Sequence, residues 1–598
     1  MKKYILTALA ALLCSAVSLL AIPAYPGWIK YTQPDGSVIQ IRKVGDEFGH
    51  FTLNAAGQYI QQDEDGFYRP MDASAVQARR RAAAVRRQAA RQSRQASSHV
   101  AVGQKHFLVI LVAFKDVAFK SETANADFTA LLNEKGYSAN GGTGSARDYY
   151  YDNSHGYFEP IFDVYGPVTL QNNVSTYGGN DSSGNDKAPE QAIIEGCQAL
   201  DPSIDFSRYD NDNDGEVDLV FMYYAGKGEA SGGSTNTIWP HQWELSSAGK
   251  SLKLDNMKID KYACTNELEL SGMCGIGTAC HEFGHAMGLP DFYDTDYEDN
   301  GQAAGMFFFS TMDSGAYNND GRTPPYFTIE ERILLGWLQE DSLKEFSASG
   351  QITLPTVDDN IAYKTLTDQE GEYFVYECRG ANGWDAGLDS HGLIVTHVDK
   401  SGRQVKVFNY STTAASLWNE WEASNAINEN GSHPCCYVVP AADPSNLLFG
   451  FDKYSGSYYF DIYDKGYAQQ IPFPCTVDKK LIDSYTARSW NGIDADISLS
   501  NIVYANDQVS FTVTVPSDDL DYNVIDNPGN GVYSAGDRFS FQLVESPVRV
   551  PESVAWYYDD EPVQADSVTL TSGKHTVEAH LTLSNGKRKI VTLEITVN

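Results

Sequence analysis

Residues 276–291 read IGTACHEFGHAMGLPD, so His281, Glu282 and His285 fall within one helical turn of each other and Gly288 and Asp291 follow at once. Residues four apart share a helix face, so the imidazoles of His281 and His285 converge while Glu282 projects beside them. Gly288 permits the left-handed backbone that ends a helix, and the chain then turns so that Asp291 can reach the same ion. Two His and one carboxylate leave a fourth zinc position open for water, as hydrolysis requires. Zinc lowers the pKa of that water and polarises a scissile carbonyl, and Glu282 is placed as the general base. The plain alternative is a buried amphipathic helix whose His form ordinary hydrogen bonds. The Gly at the turn and an Asp ten residues after the first His weigh against it.

Downstream, FFFSTMD at 307–313 offers Met312 where metzincins carry a methionine turn beneath the metal. A gluzincin reading would instead need a Glu on a later helix. Glu298 is the nearest, in a loop-like stretch rich in Tyr, Asp and Asn, so Asp291 is preferred as third ligand.

With FSTMDSGAYN and PPYFTIEERILLGWL after it, this stretch resembles the immune inhibitor A family of secreted bacterial metallopeptidases. The resemblance takes in YDNDNDGEVDLVFMYYAGKGEA and TIWPHQW upstream and HGLIVTHVDKS downstream, roughly residues 100 to 515. It implies zinc on His281, His285 and Asp291, Glu282 as base, and Met312 as the turn residue. Cys280, beside the first His, departs from the pattern and is read as a small buried apolar residue.

At 598 residues the chain has room for three or four domains. Lys2 and Lys3 precede an apolar run from Tyr4 to Ala21, read as a signal peptide (1–21) with Cys14 inside it; no later run is long enough to span a bilayer. The formal charge is −35, but residues 1–97 hold 13 Lys/Arg against 7 Asp/Glu, leaving 31 against 72 for the rest. So acidic a surface disfavours nucleic acid and anionic membranes. The expected product is a secreted, periplasmic or cell-surface bacterial monomer acting on proteins or peptides. Eight cysteines remain beyond Cys14, and Cys264 with Cys274 could clamp a hairpin before the metal helix.

Turn signals such as Pro34-Asp35-Gly36 separate short β-rich segments from Ile22 to Pro70, and an Ala/Gln/Arg-rich stretch follows. Together 22–97 read as a propeptide and solvated, protease-sensitive linker carrying Arg79, Arg80, Arg81, Arg86, Arg87, Arg91 and Arg94. With no cysteine available, a propeptide carboxylate (Asp35, Asp46 or Glu47) or steric blockage would hold the enzyme latent. Apolar runs at 106–114 and 219–225 predict buried strands of an α/β zincin-type, metzincin-like catalytic domain over 98–340. Alternating segments predict a β-rich domain over 341–516 and an immunoglobulin-type β-sandwich over 517–598, giving a multidomain chain with all-β C-terminal domains.

Asp210, Asp212 and Asp214 alternate before Gly215, with Glu216 and Asp218 following, and copy the first half of a calcium loop. The twelfth-position Glu is replaced by Phe221, so Asp218 would supply the late carboxylate to a structural Ca2+. His241 is either loop packing or a cleft wall, and His391, His397, Asp399 and His433 are scattered enough that hydrogen bonding accounts for them. The sequence thus predicts a secreted zinc endopeptidase made as a zymogen. The alternatives are a catalytically silent adhesin or glycan-binding protein on the same scaffold, and a zinc hydrolase of non-peptide amides.

Overall fold

The run HFLVILVAF has no polar face, so it is stable as a strand only when covered on both sides. In the computed structural model it is the strand Gly103–Ala113 inside a sheet ordered His241–Glu244, Lys261–Glu269, Val220–Lys227, Gly103–Ala113, Phe158–Thr169. The four long strands run parallel, and His241–Glu244 lies antiparallel at one edge. The model describes residues 22–598 apart from 47–48, 64, 91–100, 182–183, 296–302, 304, 408–409, 445–449, 453–456, 461–467, 516–523, 526–531, 544–552, 565–566 and 583–587. The signal-peptide reading, Glu47, Arg91, Arg94 and Glu298 therefore lie outside the described residues.

Side chains alternate across the sheet with period two. Phe107, Val109 and Leu111 share a core with the helix Gly277–Met287, while Leu108, Ile110 and Val112 share another with the helix Pro189–Leu200. Phe283 anchors the metal-motif helix on the sheet by edge contact with Phe107, ring centroids 4.7 Å apart.

Ahead of this layered unit, residues 29–70 form a five-stranded antiparallel meander in sequential order. The stretch expected as a solvated linker is the helix Ala73–Ala90 up to its end. Its small residues let it dock: Ala83 is buried so closely against Gly49 that a Cβ there would lie 2.5 Å from the Ala83 methyl, and Arg80 donates to the Tyr59 hydroxyl at 2.6 Å.

Beyond the metal motif a five-stranded and a four-stranded sheet follow, interrupted by two short helices, Ala414–Asn419 and Trp421–Ser424. One buried core runs without a break from Ala101 to Val513, so residues 341–516 pack as a continuation of the catalytic layers. Trp384 Nε1 donates to Asp152 at 2.9 Å across that junction, and Trp337 Nε1, just before it, donates to Ala101 O at 2.8 Å. The terminal four-stranded sheet, containing Ser553–Tyr558 and Gly573–Thr582, has a separate small core around Phe539, Val577 and Leu581. Among the described residues no helix is long and apolar enough to cross a membrane.

The proposed Cys264–Cys274 clamp is not formed: all eight described cysteines are free and buried. Cys264 points into the core on one side of the sheet and Cys274 into the other, so the sheet itself separates the two thiols.

Candidate active site

Gly288, at φ 108°, ends the helix Gly277–Met287 and folds the chain back so that Leu289 N bonds Gly284 O at 3.0 Å. This return places the Leu289 carbonyl 2.8 Å from His285 Nδ1, while the Thr311 carbonyl lies 2.8 Å from His281 Nδ1. A carbonyl only accepts, so each ring carries its proton on Nδ1 and turns Nε2 inward. The two Nε2 atoms are 3.1 Å apart, and Asp291 Oδ1 lies 3.2 Å from His281 Nε2 and 3.3 Å from His285 Nε2. Ligands about 2.0–2.1 Å from a tetrahedral ion are about 3.3 Å apart, so this triangle fits zinc. Asp291 Oδ1 is buried with no hydrogen bond, which fits an oxygen reserved for a cation.

The electrostatics call for positive charge at the same point. Burial alone would keep His281 neutral and Asp291 protonated; the adjacent Asp291 charge instead raises His281 to about 9, and the two imidazoles, His285 foremost, hold Asp291 far below the usual carboxylate range. Burial pushes Glu282 up to about 8, a value suited to taking and returning a proton near neutrality. Its Oε2 is buried and has no hydrogen-bond partner.

Several elements fix this arrangement. Asn425, in left-handed conformation at φ 43°, donates to Asp291 Oδ2 at 2.6 Å and accepts from Asp291 N at 3.0 Å. Met312 is fully buried beneath the helix and packs against Gly284, where a Cβ would lie 2.6 Å from Met312 Sδ and push that side chain aside. Met312 N donates to Ser310 Oγ, whose proton goes to Glu331 Oε1 at 2.7 Å. Glu331, three residues after the N-cap Thr328, is its partner in a capping box, and Arg379 holds the preceding loop by donating to Phe309 O at 3.0 Å. The Thr-x-x-Glu spacing of FTIEE is a signal that could have pointed to this box. Asn425 offers no such signal, because it lies 134 positions from Asp291 and has no motif around it.

The site is also covered. Ile22 N donates to Glu282 Oε1 at 2.9 Å, and Ile22 is fully buried. Trp239 Nε1 donates to Ile22 O at 3.2 Å, Tyr317 Oη to Pro23 O at 2.7 Å, and Tyr25 N to Ala230 O at 3.0 Å. The suggested propeptide carboxylates have other roles: exposed Asp35 holds its own turn through Ser37, and buried Asp46 accepts from Gly49 N. The group of this segment that meets Glu282 is a backbone nitrogen.

Of the acidic loop, Asp210, Asp212 and Asp218 bring carboxylate oxygens within 4.8 Å of one another. The Asp214 carboxylate accepts from Glu216 N at 2.8 Å and is not one of the three that converge; the Glu216 side chain pairs with Lys258 at 3.1 Å, whereas the ligand expected of Glu216 is its backbone carbonyl. Burial beside Asp212 and Asp210 raises Asp218 to about 6. His241 is packed between Trp239 O and Tyr262 Oη. His397 bonds Glu372 and Tyr437, and His433 bonds Asp399, as hydrogen-bonded side chains of the β layers.

Residues 95–332 match the catalytic-domain model of the immune inhibitor A peptidase M6 family. The pre-pro-metalloprotease PrtV of Vibrio cholerae is 26% identical over 347 residues, 47% of this chain and 37% of that protein. Immune inhibitor A of Bacillus thuringiensis is 26% identical over 213 residues, 31% of each chain. The chain thus spans about a third of the length of the curated relatives it matches. The crystal structure of OgpA from Akkermansia muciniphila aligns over 84% of this chain and 94% of that one, with 10% identity and a TM-score of 0.21.

Proposed function

Because residues 95–332 belong to the immune inhibitor A peptidase M6 family, a family of metalloproteases, we propose that this chain is a secreted zinc-dependent endopeptidase of metzincin type, made as a zymogen. The observation that carries the reading is the buried triangle of His281, His285 and Asp291 beside the unpaired Oε2 of Glu282. A zinc ion bound there would acidify water and polarise a peptide carbonyl. Glu282 accepts the proton of the attacking water and returns it to the departing amine, its unpaired Oε2 lying beside the triangle. Thr311 O and Leu289 O keep the imidazoles in the ligating tautomer, and Asn425 aims Asp291.

Latency rests on Ile22. Cleavage after Ala21 would turn its nitrogen into an α-amine, a cation against the Glu282 carboxylate, and the following residues fill the cleft. The acidic cluster of Asp210, Asp212 and Asp218 supports a structural calcium, and the separate C-terminal core supports an immunoglobulin-type sandwich. The deciding experiment pairs metal analysis with casein hydrolysis by the activated protein. One zinc per chain is expected, and Glu282→Ala should keep it while losing activity by about 10²–10⁴-fold. Undiminished activity in that variant would remove the mechanism.

A further inference from the structure

Glu229, from the AGKGEA motif, has no solvent exposure, and its surroundings divide sharply by origin. Among the described residues, the cations paired with it or lining its cleft come from the N-terminal unit. Lys43 Nζ lies 3.4 Å and His50 Nε2 3.1 Å from Glu229 Oε1, with the Lys43 side chain 1% exposed. Arg79 lines the same cleft of about 160 Å³. The catalytic segment contributes no cation to the cleft lining among the described residues: Asn180 donates to Glu229 Oε1 at 3.3 Å, Asp181, Thr235 and Asn236 line the cleft, and Asp186 accepts from Trp239 N at 2.8 Å nearby. Burial disfavours the charged form of Glu229, yet His50 and Lys43 outweigh it and hold the carboxyl below its ordinary range. Glu229 Oε2 is buried without a hydrogen-bond partner.

The Glu229 loop is linked by hydrogen bonds to the wall that holds Ile22–Tyr25. Glu229 N bonds Ile238 O at 3.0 Å, joining the AGKGEA and TIWPHQW motifs. The next residue, Ala230, receives Tyr25 N, and His50 stacks on Trp239 with centroids 4.4 Å apart while the same indole holds Ile22 O. Ile22 N sits where Glu282 would deliver a proton to a departing amine, so Ile22–Tyr25 trace the leaving-group side of the cleft. When residues 22–97 depart, Glu229 loses its two paired cations, Lys43 and His50, together with Arg79 of the lining, and faces an acidic hollow. A buried carboxylate without its cation is costly, which favours any ligand that restores one.

We propose that Glu229 is the base of a substrate subsite that takes a Lys or Arg side chain, within the four residues that follow the scissile bond. Lys43 and His50 fill it in the precursor. The inference rests on the peptidase reading above and names the substrate chemistry that reading leaves open.

The test uses full-length protein activated by limited proteolysis, with a panel of peptides in which each of the four positions after the scissile bond carries Lys, Arg, Met or Glu. Cleavage sites are read by mass spectrometry and kcat/KM is taken for each peptide. At one position Lys and Arg should exceed Met by about tenfold or more, mainly through KM, and Glu229→Gln should collapse that ratio. Glu229→Lys should invert the preference toward Glu, which a merely structural residue would not do. Cleavage without any preference for a basic residue overturns the subsite while leaving the peptidase reading intact, and the wild-type profile decides this even if neither variant folds. An activated protein that cleaves neither the panel nor casein overturns both.

Discussion

Ile22 and Glu282 are 260 positions apart in sequence and 2.9 Å apart in space, the backbone nitrogen of one donating to the carboxylate of the other. The contact uses the oxygen of the proposed base and covers the metal face, so the N-terminal segment and a substrate compete for one place. The precursor should therefore leave casein intact. Activity should appear as trypsin cuts the Arg-rich helix and the chain beyond it, with Arg81, exposed on that helix, among the first sites. Replacing Ile22–Tyr25 by glycines should give an uncut precursor with measurable casein hydrolysis. A fully active wild-type precursor would rule out latency.

A second expectation concerns Asn425. It bonds Asp291 through both its amide atoms, so Asn425→Ala should leave the three ligands present but poorly aimed. Zinc affinity, measured by competition with a chelator, should fall by about 10–100-fold, and Asp291→Ala should fall further because it removes a ligand. Equal affinity in Asn425→Ala and wild type would show that the turn alone fixes Asp291.

The helix, its Gly288 stop and the convergence of His281, His285 and Asp291 were legible because they depend on spacing within eleven residues and on one backbone conformation. The core strands were legible because an apolar run such as 106–114 has no polar side to offer water. The partners of the site were not. Asn425, Arg379 and Ile22 come from remote chain segments, and their roles arise only when layers pack. The Arg-rich helix was read as solvated because its apolar content is low; its docking uses alanines and glycine, whose close approach carries no hydropathy signal.

His241 predicts an acid limit to stability. Burial holds its pKa down to about 4, and the ring is neutral, donating to Trp239 O and accepting from Tyr262 Oη. Its unfolded value is about 6.5, so below that pH the unfolded chain binds the proton more readily than the folded one. The stability His241 contributes is present above about pH 6.5 and is lost as the pH falls toward about 4. Urea midpoints measured across this window should decline for wild type and decline less for His241→Gln. Parallel curves for the two proteins would assign the acid limit to other groups.

Calcium gives the last test, and the geometry selects which carboxylates matter. Asp210, Asp212 and Asp218 converge, whereas Asp214 is turned to Glu216 N and Glu216 to Lys258. An ion bound only by the folded state stabilises it by about 2.7 kcal/mol at a hundredfold excess over Kd, so calcium should raise the thermal midpoint. Asp212→Ala combined with Asp218→Ala should abolish that rise, because two of the three converging carboxylates are gone. Asp214→Ala should keep most of it, losing only a turn hydrogen bond that stiffens the loop. If the double variant still responds to calcium as wild type does, the ion binds elsewhere; if Asp214→Ala is the variant that loses the response, the loop rearranges around the ion and Asp214 turns inward to ligate it.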